Sequence, residues 1–283
     1  MSAQIIDGKA VSAKIRGGLK AQAQELINNG IIPGLATIRV GEDPASKLYL
    51  KLKHKACSEV GVYSEDHVLA EDTGEKEVIA QIKKINQDAN IHGILLQLPL
   101  PKPLDSRDIL AEIDPRKDVD GITPTNLGRL VNGSKGFIPA TPKGVLRLLD
   151  EYGIELEAKK ATVIGRSVIV GKPLYLLLLS RNATVTMCHS RTRDVTEHTK
   201  DADILVSAVG SPGLVTADMV KEGGVVVDVG TTKTESGLAG DVDFEHVKEK
   251  AAYITPVPGG VGPMTISMLV ENTVLAAQNS AGF

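Results

Sequence analysis

Short β-branched and aliphatic runs alternate along the chain with stretches whose apolar residues recur every three or four positions. In the first half, GLATIRV (34–40), YSEDHVLA (63–70) and IHGILLQL (91–98) predict strands, the second of them weakly patterned. Helical periodicity predicts helices over roughly 8–29, 45–60 and 75–88. The second half is more regular: ATVIG (161–165), ATVTMC (183–188), ADILVSAV (202–209), GVVVDVG (224–230) and AAYITPV (251–257) read as strands of a Rossmann-like unit. Such alternation predicts an α/β fold with largely parallel sheets. Between the halves, residues 114–144 are rich in Gly, Pro, Asp and Asn and read as loop and turn. A connecting helix is expected over 142–152, and a last helix from GPMTISMLVENTVLAAQ.

The stretch GRSVIVGKP (165–173) follows an apolar strand, as phosphate-binding loops do. A mononucleotide loop needs four residues between its glycines and a hydroxyl after the lysine. Here five residues separate Gly165 from Gly171, and Pro173 follows Lys172. A dinucleotide turn fits better: Gly165 ends a strand, Ser167 stands where a second glycine often lies, and Gly171 opens a helix with Pro173 in its first turn. The helix N-terminus would face a pyrophosphate. The next strand ends in CHSRT with no carboxylate for a ribose hydroxyl. Ser190, Arg191 and, from the first loop, Arg166 suit a 2′-phosphate, which favours NADP over NAD. Alternatively, Arg191 and Arg193 are solvated surface charges.

In ASKLYLKLKHKACSEV (45–60), a turn of about 100° per residue separates the lysines. Lys51, His54, Lys55 and Ser58 fall on a polar face; Tyr49, Leu52, Ala56, Cys57 and Val60 form an apolar arc. Lys53 falls inside that arc, one turn after Tyr49 and with Ser46 close by. A lysine there either snorkels to the edge of a core or lines a pocket where desolvation lowers its pKa. Gln97, at the carboxyl end of a predicted strand, is either a turn cap or a ligand-facing amide. Asp118 and Asp120 of KDVDG are compatible with Asx turns and do not fit a calcium loop.

Composition limits what this chemistry can serve. The chain has 283 residues, 42% of them hydrophobic, enough for one large or two medium domains. A net charge of −3 gives no reason to expect nucleic acid. The two cysteines, Cys57 and Cys188, form no disulfide framework or metal-ligand spacing, so no metal is expected. The first ten residues lack the apolar run of a signal peptide, and LYLLLL (174–179) is far too short to span a membrane. The expectation is a soluble, cytoplasmic protein. No zinc-protease, paired Cys-x-x-Cys or Gly-x-Ser-x-Gly motif is present.

Nine segments, in order, resemble the bifunctional methylenetetrahydrofolate dehydrogenase/cyclohydrolase family: ASKLYLKLK, LLQLPLP, PRKDVDG, PATPKGV, VIGRSVIVGKP, ATVTMCHSRT, VVVDVG, GDVDF and TPVPGGVGPMT. The resemblance implies a homodimer of two-domain chains with a cleft between the domains: an N-terminal α/β folate and catalytic domain (1–120), a Rossmann-like NADP domain (121–263), and a last helix (264–283) returning to the first. It implies oxidation of 5,10-methylenetetrahydrofolate with NADP, then hydrolysis to 10-formyltetrahydrofolate, in the one-carbon metabolism that supplies purine biosynthesis. By position it makes Lys53 the catalytic lysine, Tyr49 its partner and Gln97 its support. Asp120 would hold the pterin, and Ser46, Tyr49, Pro258, Gly259 and Gly260 would line the folate site. Gly165, Arg166, Ser167, Gly171, Ser190, Arg191 and Thr231 would contact NADP. The sequence departs from the family pattern in having Ala140 for a cysteine and Thr231 for an isoleucine. Two other readings are compatible with the second half alone: a two-domain Rossmann oxidoreductase acting on a small keto or amino acid, and a non-enzymatic nucleotide-binding protein.

Overall fold

The structure, a computed structural model, describes residues 2–41, 44–235 and 237–282, without the side chains of residues 44–48. The chain forms two compact units, Met1–Ala13 with Thr141–Thr265, and Lys14–Ala140 with Ile266–Phe283. Among the described residues no helix is long and apolar enough to cross a membrane.

The first unit is built on six strands in the order Gln4–Ile5, Tyr253–Ile254, Val225–Asp228, Ile204–Ser207, Lys160–Ile164, Thr184–Cys188. All neighbours are parallel. The inner strands are runs of Val, Ile and Leu buried throughout, as strands with both faces covered must be. From Lys160–Ile164 the chain lays its next strand on one side and the one after on the other. That reversal opens a crevice at the strands' carboxyl ends, where such sheets take their ligands.

The second unit holds a three-stranded parallel sheet with Gly34–Val40 between Tyr63–Leu69 and Gly93–Leu96. Alternation along the central strand divides its work. Ala36, Ile38 and Val40 pack with Val78, Ile82 and Ile85 of the helix Glu75–Gln87. Thr37 therefore points the other way. Helix Glu75–Gln87 carries Glu75 and Glu77 in its first turn and Lys84 in its last, matching its dipole. The final helix, Val261–Ala281, contributes its residues from Ile266 onward to this unit. Asn272 there donates to the carbonyls of Val119 (2.8 Å) and Ile138 (3.1 Å).

The observed units differ from the expected boundaries at both ends of the first domain. Gln4–Ile5 pairs in register with Tyr253–Ile254, so the first residues belong to the six-stranded unit. Residues 121–140 lie with the three-stranded unit. Within the stretch expected to be loop and turn, Pro124–Asn132 is a helix. Its Thr123 hydroxyl caps the amino end, Pro124 starts the first turn, and Gly133 ends it at φ 71°. The residues that looked like loop material are its punctuation.

Candidate functional site

The helix Pro44–Val60 carries Lys53 into the interior, where the side chain is fully buried. Its Nζ donates to Thr37 Oγ1 and lies 3.2 Å from Asp66 Oδ1. Thr37 and Asp66 are paired residues on adjacent strands and share a face, so the register sets both partners at once. Asp66 Oδ2 in turn lies 2.6 Å from His54 Nε2, and His54 Nδ1 lies 2.7 Å from Ser64 Oγ. Burial lowers the pKa of Lys53, and Asp66 opposes the shift. Partial burial works against the charge on Asp66, but His54 and Lys53 outweigh it and hold the carboxyl below its ordinary value. On the same helix Ala56, Cys57 and Val60 are buried as the apolar arc requires, whereas Leu52 is 46% exposed.

Tyr49 lies one turn before Lys53 and is half-buried. Burial, then the nearby Asp120 carboxylate and Cys57, push its hydroxyl pKa up, so it stays a donor. The two aspartates of KDVDG separate. Asp118 is buried and accepts from the backbone of Ile122 (3.2 Å) and Thr123 (2.8 Å) and from Asn126 Nδ2 (2.8 Å), so it builds the turn. Asp120 is only partly buried, and burial plus the neighbouring Asp118 raise its pKa to about 7. Gln97 donates to the carbonyl of Leu98 (3.0 Å), while its own Oε1 is buried without a donor. That orphaned acceptor is the kind of group a ligand completes. Ser46 lies outside the described side chains. A cavity of about 470 Å³, lined by Gly30, Ile32, Asn90 and His92 among others, sits at the amino ends of the same strands and contains none of these residues.

In the six-stranded unit, Gly165 has φ 121°, and a Cβ there would strike the carbonyl of Ala208. A Cβ on Gly171 would overlap the carbonyl of Gly165. The loop between them is closed by Ser167, whose Oγ accepts from the backbone of Val170 (3.1 Å) and Gly171 (3.3 Å). Gly171 then starts the helix Gly171–Ser180 beside the crevice. This is a cradle that side chains would fill, at a helix N-terminus, and it fits a pyrophosphate. Beyond the next strand, His189–Thr192 forms a turn that presents Ser190 and Arg191 outward, and Arg166 is also exposed. No carboxylate stands among residues 189–193.

The family models decide what this geometry belongs to. Residues 6–120 match the tetrahydrofolate dehydrogenase/cyclohydrolase catalytic domain, and residues 139–281 match the NAD(P)-binding domain of the same family. The chain belongs to the tetrahydrofolate dehydrogenase/cyclohydrolase family. It is 55% identical to the bifunctional protein FolD of Nautilia profundicola over 98% of each chain. It resembles the crystal structure of the bifunctional FolD enzyme of Campylobacter jejuni with TM-score 0.96 and 50% identity, over 98% of this chain and 99% of that one. It also resembles the Trypanosoma brucei dehydrogenase-cyclohydrolase complexed with NADP cofactor and inhibitor, with TM-score 0.95 and 38% identity over 99% of each.

Within a tetrahydrofolate dehydrogenase/cyclohydrolase, the remaining expected residues belong to the six-stranded unit. Pro258 is exposed, while Gly259 and Gly260 are buried; Gly259 has φ 118° and accepts from the backbone of Lys9 (3.1 Å). Thr231 is exposed just after Gly230. Two residues that the sequence did not single out hold the loops around it. Asp228 accepts from the backbone of Gly230 (2.9 Å), Asp241 (3.0 Å) and Val242 (2.9 Å). Asp241 accepts from Ser207 Oγ (2.8 Å) and the backbone of Val209 (2.8 Å) and Ser211 (2.7 Å). Together they tie down the chain leaving strands Ile204–Ser207 and Val225–Asp228. Thr37 and Asp66 were likewise missed. Only the strand register identifies them.

Proposed function

We propose that this chain oxidises 5,10-methylenetetrahydrofolate to the methenyl compound and then hydrolyses that to 10-formyltetrahydrofolate. The observation that carries this is the fully buried amine of Lys53 in a chain matching both domains of the family. NADP⁺, when bound, takes the hydride from the methylene bridge. The loop of Gly165, Arg166, Ser167 and Gly171 holds its pyrophosphate side, Ser190 and Arg191 its 2′-phosphate, and Thr231 packs beside it. The product of this step carries a positive charge spread over N–C–N. A neutral Lys53 does not oppose that charge, and burial favours the neutral amine.

Hydrolysis needs a base. Lys53 takes a proton from the water that attacks the methenyl carbon. The free Oε1 of Gln97 orients the amine or the water, and the Tyr49 hydroxyl donates beside it. Asp120 accepts from the pterin's amino and ring N–H groups, with Ser46 of the same unit adding a folate contact. The chain works in the cytoplasm as part of one-carbon metabolism, supplying formyl groups to purine biosynthesis. It does so as a homodimer: among the described residues strand Tyr63–Leu69 pairs on one side only, and Tyr63 and Val68 are each 51% exposed along it. The test is spectroscopic. Methylenetetrahydrofolate with NADP⁺ should give NADPH together with a methenyl absorbance that then decays. No NADPH formation would end the proposal.

A further inference from the structure

We propose that Asp66, held in place by His54, is a positioning residue that sets the charge of Lys53 and carries its proton to solvent during hydrolysis. The inference rests on the hydrolysis proposed above and follows from its proton balance. The methenyl compound is a cation. Water's oxygen bonds to the methenyl carbon, one C–N bond breaks, the freed ring nitrogen keeps one proton of the water, and a neutral formyl compound results. One proton per turnover is left over. If Lys53 receives it, the amine must discharge before it can act again.

Lys53 is fully buried and cannot discharge directly to bulk water. The side chains that continue from it form a graded path outward. Nζ lies 3.2 Å from Asp66 Oδ1, Asp66 Oδ2 lies 2.6 Å from His54 Nε2, and His54 Nδ1 lies 2.7 Å from Ser64 Oγ. Side-chain exposure rises along it from 0% at Lys53 to 26% at Asp66 and 35% at His54. Asp66 is a carboxylate, so His54 Nε2–H donates to its Oδ2 and Nδ1 accepts from Ser64 Oγ, which holds Asp66 against the amine. Asp66 takes the proton from Lys53 on Oδ1 and, itself partly exposed, loses it to water.

Three elements surround the pair. Helix Pro44–Val60 supplies Lys53, His54 and Cys57. The central strand supplies neutral Thr37 and carries Arg39 on the same face two residues on, and the edge strand supplies neutral Ser64. Glu65 and His67 alternate to the other face of the edge strand, where His67 Nε2 bonds Glu65 at 2.7 Å and its Nδ1 meets Gln81 at 2.9 Å. Asp66 is thus the carboxylate in contact with Lys53, and it opposes the burial that lowers the amine's pKa.

Lys53 must be neutral to act, so hydrolysis rises as pH passes through its pKa. Asp66→Asn removes the charge that favours the ammonium, and the rising limb of kcat for methenyl hydrolysis should move to lower pH by about one unit or more. His54→Ala, at a partly exposed position, leaves Lys53 in place but removes the donor that holds Asp66 against it. It should lower kcat at neutral pH by about three- to tenfold with little change in KM, and His54→Gln, which keeps a donor, should restore most of it. An unmoved limb in folded Asp66→Asn protein overturns the proposal, as does a His54→Ala kcat equal to wild type. Titration of Lys53 in the ligand-free chain, followed by NMR of its ε-methylene, separates the two readings. If the titration moves with Asp66→Asn while the wild type fails to hydrolyse the methenyl compound, the assigned reaction is at fault. If it does not move, the relay is.

Discussion

Replacing Lys53 by methionine keeps most of the buried volume and removes the nitrogen. The hydrolytic step then loses its base, and its rate should fall by at least about 100-fold. NADP binding involves the other unit and should be unchanged, which fluorescence titration of the dinucleotide would check. Wild-type hydrolysis by the methionine variant would remove Lys53 from the mechanism. The exposed Arg191 makes a second residue-level test. Arg191→Ala should raise KM for NADP about tenfold, the loss of about 1.4 kcal/mol from a charge-assisted contact, and leave KM for NAD nearly unchanged. An unaltered ratio of the two constants would shift the 2′-phosphate contact to Arg166. The position of Lys53 was legible because a helix wheel states which face a residue takes. Its partners were not, since Thr37 and Asp66 meet it only through the register of two strands far apart in sequence.

At the scale of elements, the glycine loop and the helix it opens depend on close backbone approach. Gly171 leaves no room for a methyl group against the carbonyl of Gly165, and the obstacle is main chain that cannot swing aside. Gly171→Ala should therefore cost about 1–3 kcal/mol of stability in urea titration and weaken NADP binding strongly. Ser167→Ala removes one acceptor shared by two N–H groups and should cost about 1 kcal/mol, with a smaller effect on NADP. Equal effects would mean that the loop yields easily. The strand–Gly–helix pattern showed this element in the sequence because its spacing is local. The helix Pro124–Asn132 was hidden because nine residues bounded by Thr, Pro and Gly read as a turn. Its buried Asn126 is tied by Nδ2 to Asp118, a contact no periodicity reveals.

At the scale of the whole molecule, the alternation of strands and helices identified the fold class, but not which sheet each end of the chain joins. Gln4–Ile5 is too short to show a period, and its place follows from pairing with residues some 250 positions away. The same molecule combines two aspartates whose environments disfavour their charge. Burial raises Asp228 to about 6 despite three backbone donors, and burial with Asp118 raises Asp120 to about 7, both from 3.8. Each binds its proton more tightly in the folded than in the unfolded chain. Their stabilising contribution is therefore full below about pH 4 and is lost as pH rises through about 6 to 7. For the nearly buried Asp228 the loss is at most about 3 kcal/mol. Asp66, Asp114 and Asp203, whose pKa values are lowered, act in the opposite sense and give stability that disappears in acid. Asp120→Asn removes one of the two raised groups without touching the others. The fall in urea midpoint between pH 5 and pH 7.5 should be smaller in this variant than in the wild type. Identical slopes would mean that Asp120 titrates as an ordinary carboxylate, and its environment would then be wetter than its burial implies.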